Sequence, residues 1–448
     1  MPKQVKAAKA ASSSKANPLE AIVQLEKACT EATYNPNSLI PLLALSRHVD
    51  PEVVFKAVWA LHRVFIKYIN ENRVGGIVDS PSRVRGGAEE DQDGIKDEGS
   101  VKGWVRDRLF EYIEVLGGLL RDAEDALRVG WKLLRKGSRS CQSTALPLLF
   151  SLLGPLSSSV SNDKPILHTP YFRLILRSLF SPLPSLRGAK PASSGAEDKW
   201  AVNENAQVDE EEGVLPQDIT ESVDEDFWAK YDDIRWAFFK ESAYVNLPPT
   251  PSRTLDFVAD NSYLLDNEPT SIAFAENVLG QLLPLTNLPR VQEDINAFFL
   301  PSMSDSPSAV ASAPKKKRKS SKKKAENDAL PDWMATYESE SEDDDTPAGR
   351  KRQRTAQLSV HASIHSIPSH TTLYTSLWES VLGRLRLDDA QTRRVLVGLH
   401  GDKGILGHMR ADRRVRVADW LGSLVDEGGA KAMLAMNGLF VLMTKYNL

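Results

Sequence analysis

Apolar residues recur at intervals of three and four along the first part of the chain. From Pro18 they fall into three successive groups, which begin at Leu19, Leu39 and Val54. This spacing gives each of three helices one apolar stripe, and Asp50 followed by Pro51 is typical of a helix start. The same spacing predicts helices within 101–136 and over 144–153, 171–180, 224–244, 271–283 and 291–300. Strand-like alternation is nearly absent, so the sequence predicts an all-α fold.

The lengths of these helices and their connections predict how they pack. Helices of 10 to 20 residues, joined by turns that contain Pro or Gly, favour stacked antiparallel pairs, as in HEAT-like α-solenoids. No period is visible in the residue identities, so any repeat lies in the structure alone. The fold class that we predict is a HEAT-like α-solenoid with disordered insertions.

Three polar segments interrupt the helical pattern, at 75–100, 185–218 and 301–369. Their apolar content is too low to offset the entropy lost on ordering the chain. We therefore predict a disordered N-terminus (1–17), a helical repeat region (18–300) with mobile insertions (75–100 and 185–218), a disordered charged arm (301–369) and a second helical region (370–448). In the second region, Asp388 or Asp389 is the expected cap of a helix.

Composition narrows the classes of protein. With 41% hydrophobic residues in 448, the chain can form a real core. Its 56 basic and 60 acidic residues give a net charge of -4, which excludes a global polycation. Two distant cysteines, Cys29 and Cys141, favour neither a disulfide framework nor a zinc module. No apolar run is long enough to span a membrane, so we expect a soluble intracellular protein.

A basic cluster in the third segment predicts nuclear import. Eight cations occur in the ten residues 315–324. Pro314 is followed by Lys315, Lys316, Lys317, Arg318 and Lys319, an order close to known import signals, which acidic grooves of an import receptor bind. A solvated linker, or a patch for nucleic-acid phosphates, would have a similar composition. The residues 350–354 form a second candidate cluster.

An acidic block, 338–345, separates the two basic clusters. Ser339 and Ser341 each precede an acidic residue by three positions, a context that acid-directed kinases favour. An unmodified acidic spacer is an equally good interpretation.

The most aromatic stretch of the chain is 224–241. On a helix, its aromatic residues would share two neighbouring faces, with Asp233 and Lys240 pointing outward. The stretch is either a partner-binding anchor or ordinary core with a helical ion pair between Asp232 and Arg235. We favour core, because aromatic residues at helical spacing are usually buried.

Patterns typical of catalysis are missing from the sequence. It contains no phosphate-binding GxxxxGK[ST] loop, no GxSxG and no HExxH. His361, His365 and His370 lie close together, but Pro368 interrupts the segment and no acidic residue accompanies them. We interpret this segment as a linker rather than a metal site. No helix carries a basic stripe with interleaved polar residues, so readout of DNA bases is not expected.

Near the end of the chain, apolar residues from Met433 to Met443 form a face so wide that burial on more than one side is predicted. Four blocks of sequence occur around it in a fixed order: Leu399 with His400, 419–421, Asp426 with Gly428 and Gly429, and 434–448. They resemble the C-terminal domain of the CCAAT-binding-factor-type nucleolar family. The motif residues of the last block are Asn437, Gly438, Phe440, Tyr446 and Asn447. The Tyr231, Asp232, Asp233 and Arg235 of the aromatic stretch match a YDDxR segment of the same family.

The resemblance implies a function and a set of partners. It implies a non-enzymatic scaffold that assembles with the small-subunit processome in the nucleolus, for 18S rRNA maturation and small-subunit assembly or export. The expected partners are a processome protein, the pre-ribosomal particle with indirect contact to RNA, and an import receptor. No cofactor, metal, membrane or small-molecule substrate is expected. Because the family's domain runs on past the last block, the resemblance also implies a chain truncated within that domain.

Three other functions can be weighed from the sequence: an adaptor, a protein that binds DNA directly, which is not expected for the reason given above, and an enzyme. A nuclear α-solenoid adaptor, for transport or for transcription-factor-type complexes, is the alternative. A transport adaptor would not need a prominent import signal of its own, which counts against this alternative. Of these functions, the sequence favours catalysis least.

Overall fold

The structure, a computed structural model, describes residues 17–31, 36–75, 96–122, 145–160, 165–181, 185–188, 213–245, 272–305, 360–400 and 404–447. Within these ranges there are sixteen α-helices, a π-helical turn, three 3-10 turns and no strand. The all-α prediction is confirmed. No helix of the described ranges is long and apolar enough to cross a bilayer.

Seven helices precede residue 185. They are α1 (Pro18–Thr30), α2 (Leu39–Leu45), α3 (Pro51–Asn70), α4 (Lys96–Leu119), α5 (Ala145–Ser151), α6 (Leu153–Val160) and α7 (Thr169–Phe180). A 3-10 turn, Pro36–Ser38, opens α2.

Nine helices follow. They are α8 (Gln217–Val223), α9 (Asp232–Val245), α10 (Ile272–Leu282), α11 (Val360–Ile364), α12 (Ile367–Arg384), α13 (Asp389–Leu399), α14 (Ile405–His408), α15 (Ala411–Glu427) and α16 (Gly429–Tyr446). The π-helical turn Asp224–Trp228 links α8 toward α9, and 3-10 turns lie at Gln292–Asp294 and Pro301–Met303.

Local sequence determines where two of these helices begin. Asp50 Oδ1 accepts a hydrogen bond from Glu52 N at 3.0 Å, next to a proline in the first turn of α3. Asp388 and Gln391 form a reciprocal capping box at the start of α13, with bonds of 2.6 and 3.0 Å. Each carboxylate satisfies amides that the first helical turn leaves free. Both predicted starts are confirmed.

The helices pack as a continuous series. In the first half, α1 and α2 pack on α3, α3 contacts α4, and α4 packs on α7. In the second half, α7 packs on α9, α9 on α12, α12 on α15, and α15 on α16. Since each main helix is covered chiefly by its neighbours in the series, the arrangement is solenoid-like, as predicted.

The aromatic stretch lies at the centre of this series. Phe227 stacks on Phe150 of α5, with ring centres 3.7 Å apart, and Trp228 Nε1 donates to Gln281 Oε1 of α10 at 2.7 Å. On the other side, Trp236 Nε1 donates to Ser369 Oγ of α12 at 2.8 Å. Buried indoles with satisfied N–H groups are typical of core. The stretch therefore joins helices from both halves of the chain.

Three predicted segment boundaries differ from the bounds of the described helices. The sequence places a disordered arm at 301–369 and a new region from 370, but α11 begins at Val360 and α12 begins at Ile367. Because α12 packs on α9, residues 18–300 and 370–448 share one core in the described ranges. Similarly, α4 begins at Lys96 and α8 begins at Gln217, inside the segments predicted to be mobile insertions.

The histidine segment is not a linker. His370 is fully buried at the start of α12, where its Nε2 lies 2.8 Å from Ile364 O. Burial lowers the pKa of His370 to about 4, which keeps the ring neutral near pH 7. Pro368 occupies the first turn of α12, where its missing N–H costs nothing. The proline thus starts a helix instead of breaking one.

Several predictions fall outside the described residues. They are the import cluster Lys315, Lys316, Lys317, Arg318 and Lys319, the serines Ser339 and Ser341, the second basic cluster at 350–354, Cys141, and the N-terminus before residue 17.

Candidate functional site

Asp232 is a backbone acceptor at the start of α9. Its Oδ2 accepts from Asn296 N at 3.0 Å and from Ala297 N at 3.1 Å, and its own N–H donates to Ala297 O at 2.8 Å. The residues 295–300 have no helical hydrogen-bond ladder of their own. Asp232 thus replaces the partners that a helix would have supplied.

Asp233 continues this arrangement. Its Oδ1 accepts from Phe299 N at 2.9 Å and its Oδ2 accepts from Leu300 N at 3.0 Å. A third bond, from Ile234 N to Oδ1, gives an acceptor to an amide in the first turn of α9. The sequence places Asp233 outward, which is wrong: the residue is fully buried. A buried carboxylate is tolerated only with such partners, and here three amides supply them.

Tyr231 and Arg235 complete the group. The Arg235 guanidinium forms an ion pair with Asp232, one helical turn away, and Tyr231 packs edge-on against Phe299 with ring centres 5.3 Å apart. We call Tyr231, Asp232, Asp233 and Arg235 together with residues 295–300 the aspartate clasp. The clasp explains why the predicted helix over 291–300 does not form. Apart from a short 3-10 turn, this segment is extended backbone held by side chains of α9.

Burial dominates the electrostatics of the clasp. It raises the pKa of the Asp233 carboxyl above its ordinary value, and the amide hydrogen bonds oppose the shift. Burial also lowers the pKa of Arg235, while the charge of Asp232 acts in the opposite direction. The ion pair and the amide bonds therefore compensate for a costly removal of charge from water.

A cleft of 510 Å³ borders the clasp. Its charged lining mixes cations and carboxylates: Lys230, Arg235, Arg290, Asp232 and Asp294. This mixture does not select ligands of one charge. Among the described residues there is also no group of three or more His, Cys, Asp or Glu side chains that could bind a metal ion.

The second set of motif residues lies on the hairpin of α15 and α16. Gly428 and Gly429 form its turn with φ values of +78° and +75°, which side chains with a Cβ rarely adopt. Farther along, Gly438 is buried against α15, where an added Cβ would lie 3.1 Å from Leu421 Cδ1. Glycine here permits the close approach of the two helices.

Three further motif residues stabilise the hairpin. Asn437 Nδ2 lies 3.0 Å from His400 Nε2, at the end of α13. The Arg414 guanidinium lies over the Tyr446 ring at 3.8 Å, and Asn447 ends α16 in the left-handed conformation, with its N–H bonded to Leu442 O. These contacts assign architectural roles to Asn437, Tyr446 and Asn447.

Phe440 differs from the other motif residues because it is a large apolar side chain that is mostly exposed. It belongs to an apolar stripe on the outer face of α16, formed by Met433, Met436, Phe440 and Met443, which are 70%, 51%, 63% and 64% exposed. Their spacing of three, four and three residues is typical of a helix face that packs against another element. The sequence predicts burial on more than one side, whereas within the part of the chain that the structure describes α16 is covered on one side only.

The predicted site residues therefore form two groups rather than one. The clasp lies on α9 and the hairpin lies on α15 and α16, with α12 packed against both α9 and α15. Sequence reasoning missed the segment 295–300, which the clasp holds. The flanking residues Pro289 and Pro301 were the sequence features that could have indicated a non-helical segment. The helical spacing of its apolar residues pointed the other way.

Comparison with known proteins gives one informative similarity. A stretch of 93 residues is 33% identical to the Nucleolar complex protein 4 homolog of Mus musculus, and it covers 21% of this chain and 17% of the mouse protein. No family model matches the chain, and no solved structure matches it. The similarity is short, and it connects part of this chain to a nucleolar protein.

We expect Asp233→Asn to destabilise the protein by about 1–3 kcal/mol, because an amide NH₂ would face a backbone N–H of residues 299–300. Because the folded pKa of Asp233 is raised, its contribution to stability is full below about pH 4 and declines as the pH rises through the folded value. The difference between wild type and variant should therefore narrow from pH 4 to pH 7. Urea unfolding across this range measures it.

The control is Asp226→Asn, which makes the same chemical change at an exposed aspartate. It should leave the free energy of unfolding within about 0.5 kcal/mol of wild type. Equal effects of the two substitutions would contradict the clasp.

Two glycine substitutions test the contact between α15 and α16. Gly438→Ala pushes a methyl group into the fully buried Leu421, and we expect a net loss of about 1 kcal/mol. Gly422→Ala, inside α15, meets nothing within 4 Å and should gain about 0.5–1 kcal/mol from higher helix propensity. Thermal unfolding compares the two, and stabilisation by both would show that the helices are not tightly apposed at Gly438.

Proposed function

We propose that this chain is a non-enzymatic scaffold of ribosome assembly in the nucleolus. The similarity to part of the mouse Nucleolar complex protein 4 homolog carries the proposal. The sequence blocks on α13, α15 and α16, which resemble the CCAAT-binding-factor-type nucleolar family, agree with it. More finely, we assign the chain to the small-subunit processome, in 18S rRNA maturation and small-subunit assembly or export.

The chemistry of the clasp supports a structural role. The carboxylates of Asp232 and Asp233 accept hydrogen bonds from the amides of Asn296, Ala297, Ile234, Phe299 and Leu300. A catalytic acid or base must be able to reach a substrate proton. Carboxylates that are buried and occupied in this way hold the fold instead.

The apolar stripe of α16 is our candidate for the surface that contacts a processome protein. With about 200 Å² for each large side chain, its four residues expose roughly 500 Å². A stable self-association buries about 800 Å² on each subunit. The stripe alone is therefore smaller than one side of a stable interface, so we propose a partner that also contacts the flanks of α16.

The alternative is a nuclear α-solenoid adaptor for transport or for transcription-factor-type complexes. The solenoid-like stack and the import cluster Lys315–Lys319 suit this role as well. The resemblance of the α13, α15 and α16 blocks to a nucleolar family favours the scaffold.

Affinity purification of the tagged full chain tests the proposal. We expect precursors of 18S rRNA and processome proteins to copurify, and Phe440→Asp to reduce their recovery at least tenfold, because a carboxylate cannot be buried in an apolar contact. Val397→Asp is the matched control, since Val397 is 64% exposed on α13 and lies outside the stripe. Recovery of transport receptors and cargo without rRNA precursors would favour the adaptor.

The import cluster gives a separate prediction. Replacing Lys315, Lys316, Lys317 and Arg318 with Ala should move a fluorescent fusion from the nucleus to the cytoplasm, since an import receptor binds the lysines by charge. The helical circular dichroism should not change. Full nuclear retention, with the cations of 350–354 also replaced, would contradict this role.

A further inference from the structure

Cations converge where α15 begins and α16 ends. Four arginines occur within seven residues, Arg410, Arg413, Arg414 and Arg416. The hairpin brings the last turn of α16 beside them, because the Arg414 guanidinium lies 3.8 Å from the centre of the Tyr446 ring. Lys445 Nζ lies 6.0 Å from the same ring. We call these four arginines with Lys445 and Tyr446 the arginine–tyrosine surface.

Among the described residues, the carboxylates of Glu379 and Asp412 form ion pairs with these cations. Glu379 Oε2 lies 2.8 Å from Arg413 Nη1 and 3.6 Å from Arg416 Nη1, and Asp412 lies 3.5 Å from Arg410 and 3.4 Å from Arg413. The five cations and these two carboxylates carry a net charge of +3. Arg416 is 67% exposed, so its guanidinium is accessible to a ligand from solvent.

The position of the arginines is unfavourable for the helix itself. The amino-terminal end of a helix carries a partial positive charge, and carboxylates rather than arginines stabilise it. Arg410 at the N-cap position also makes no side-chain capping bond. A row of phosphates outside the protein would relieve both the mutual repulsion and the interaction with the helix dipole.

The aromatic residue selects the kind of polyanion. Tyr446 is partly exposed and already pairs with a guanidinium plane, and proteins bind unpaired bases by stacking on such aromatic and arginine surfaces. Of the residues between the arginines, Val415 and Ala411 offer no hydrogen-bonding groups to read base edges, and Asp412 is paired with Arg410 and Arg413. The surface therefore combines phosphate contacts with stacking and lacks base-specific contacts.

We propose that the arginine–tyrosine surface binds single-stranded RNA without strong sequence preference. Arg410 and Arg416 contact phosphates, and the stacked pair of Arg414 and Tyr446 receives a base. This inference goes beyond the proposed scaffold, which requires no direct contact with RNA. It does not depend on the scaffold role, since it rests on the charges and the stacked pair alone.

Fluorescence anisotropy with labelled oligouridine of about 20 nucleotides tests the proposal at about 100 mM KCl. All proteins are the full chain with Lys315, Lys316, Lys317 and Arg318 replaced by Ala, because the import cluster would itself bind RNA. We expect Arg410→Glu with Arg416→Glu to weaken binding at least tenfold. The slope of log affinity against log salt should become shallower by more than about 1, since about 0.7 ions are released per phosphate contact.

The charge-matched control is Lys27→Glu with Lys56→Glu, on α1 and α3. It makes the same change in net charge far along the helical series and should alter affinity less than twofold. An equal loss in both variants would mean that RNA responds only to overall charge, which would overturn the proposal. Thermal unfolding of each variant checks that it is folded. Arg416→Gln, a milder change at an exposed residue, should still weaken binding severalfold.

Tyr446→Leu separates RNA from other polyanions. It should weaken oligouridine severalfold and leave the binding of inorganic polyphosphate unchanged, because polyphosphate has no bases to stack. Polyglutamate provides the comparison with an acidic protein segment. If polyglutamate competes as well as oligouridine, and Tyr446→Leu affects neither, the surface is a docking site for acidic protein and the RNA proposal fails.

Discussion

The fold depends on how the amides of residues 296–300, which are partly buried and fully so only toward Leu300, obtain hydrogen-bond partners. An amide removed from water without an acceptor costs more than most single contacts contribute, so this segment could not lie against the core by itself. Asp232 and Asp233 supply the acceptors from the first turn of α9. Once the segment is fixed, Phe299 packs on Tyr231 and on the aromatic core around Phe150. Two acidic residues thereby determine the path of the chain through the middle of the molecule.

The same constraint organises the junction between the two ends of the charged segment. The described chain leaves the stack at Asp305 and re-enters it at Val360. The two ends lie together, since His365 Nε2 is 2.9 Å from Met303 O and the His365 ring packs on Phe298. Because the clasp fixes 295–300, it also fixes this junction, and α12 can continue the packing that α9 begins. The described residues on the two sides of the charged segment thus belong to one helical series rather than to two.

Periodicity and capping predicted elements whose partners are local in sequence. Asp50 and Asp388 each bind amides two or three residues away, so their roles could be deduced from the sequence. The clasp could not, because Asp233 and Leu300 are separated by 67 residues and the apolar spacing of 291–300 imitates a helix. The resemblance drew attention to Asp232 and Asp233, but their role as acceptors follows only from the tertiary contacts. Pro368 led to the opposite error, because the sequence analysis treated it as a helix breaker although it lies in the first turn of α12. A proline in either position looks the same in the sequence.

The hairpin shows how one helix can separate architecture from recognition. The inner face of α16 presents Ala432, Ala435, Gly438 and Leu442 to the fold, and Gly438 lets it approach Leu421 closely. That close approach sets the distance between α15 and α16, and it therefore brings Tyr446 within stacking distance of Arg414. The apolar stripe on the outer face takes no part in these contacts. A side chain on the stripe can change without altering the hairpin, whereas a larger residue at position 438 would displace both the stripe and the Arg414–Tyr446 pair.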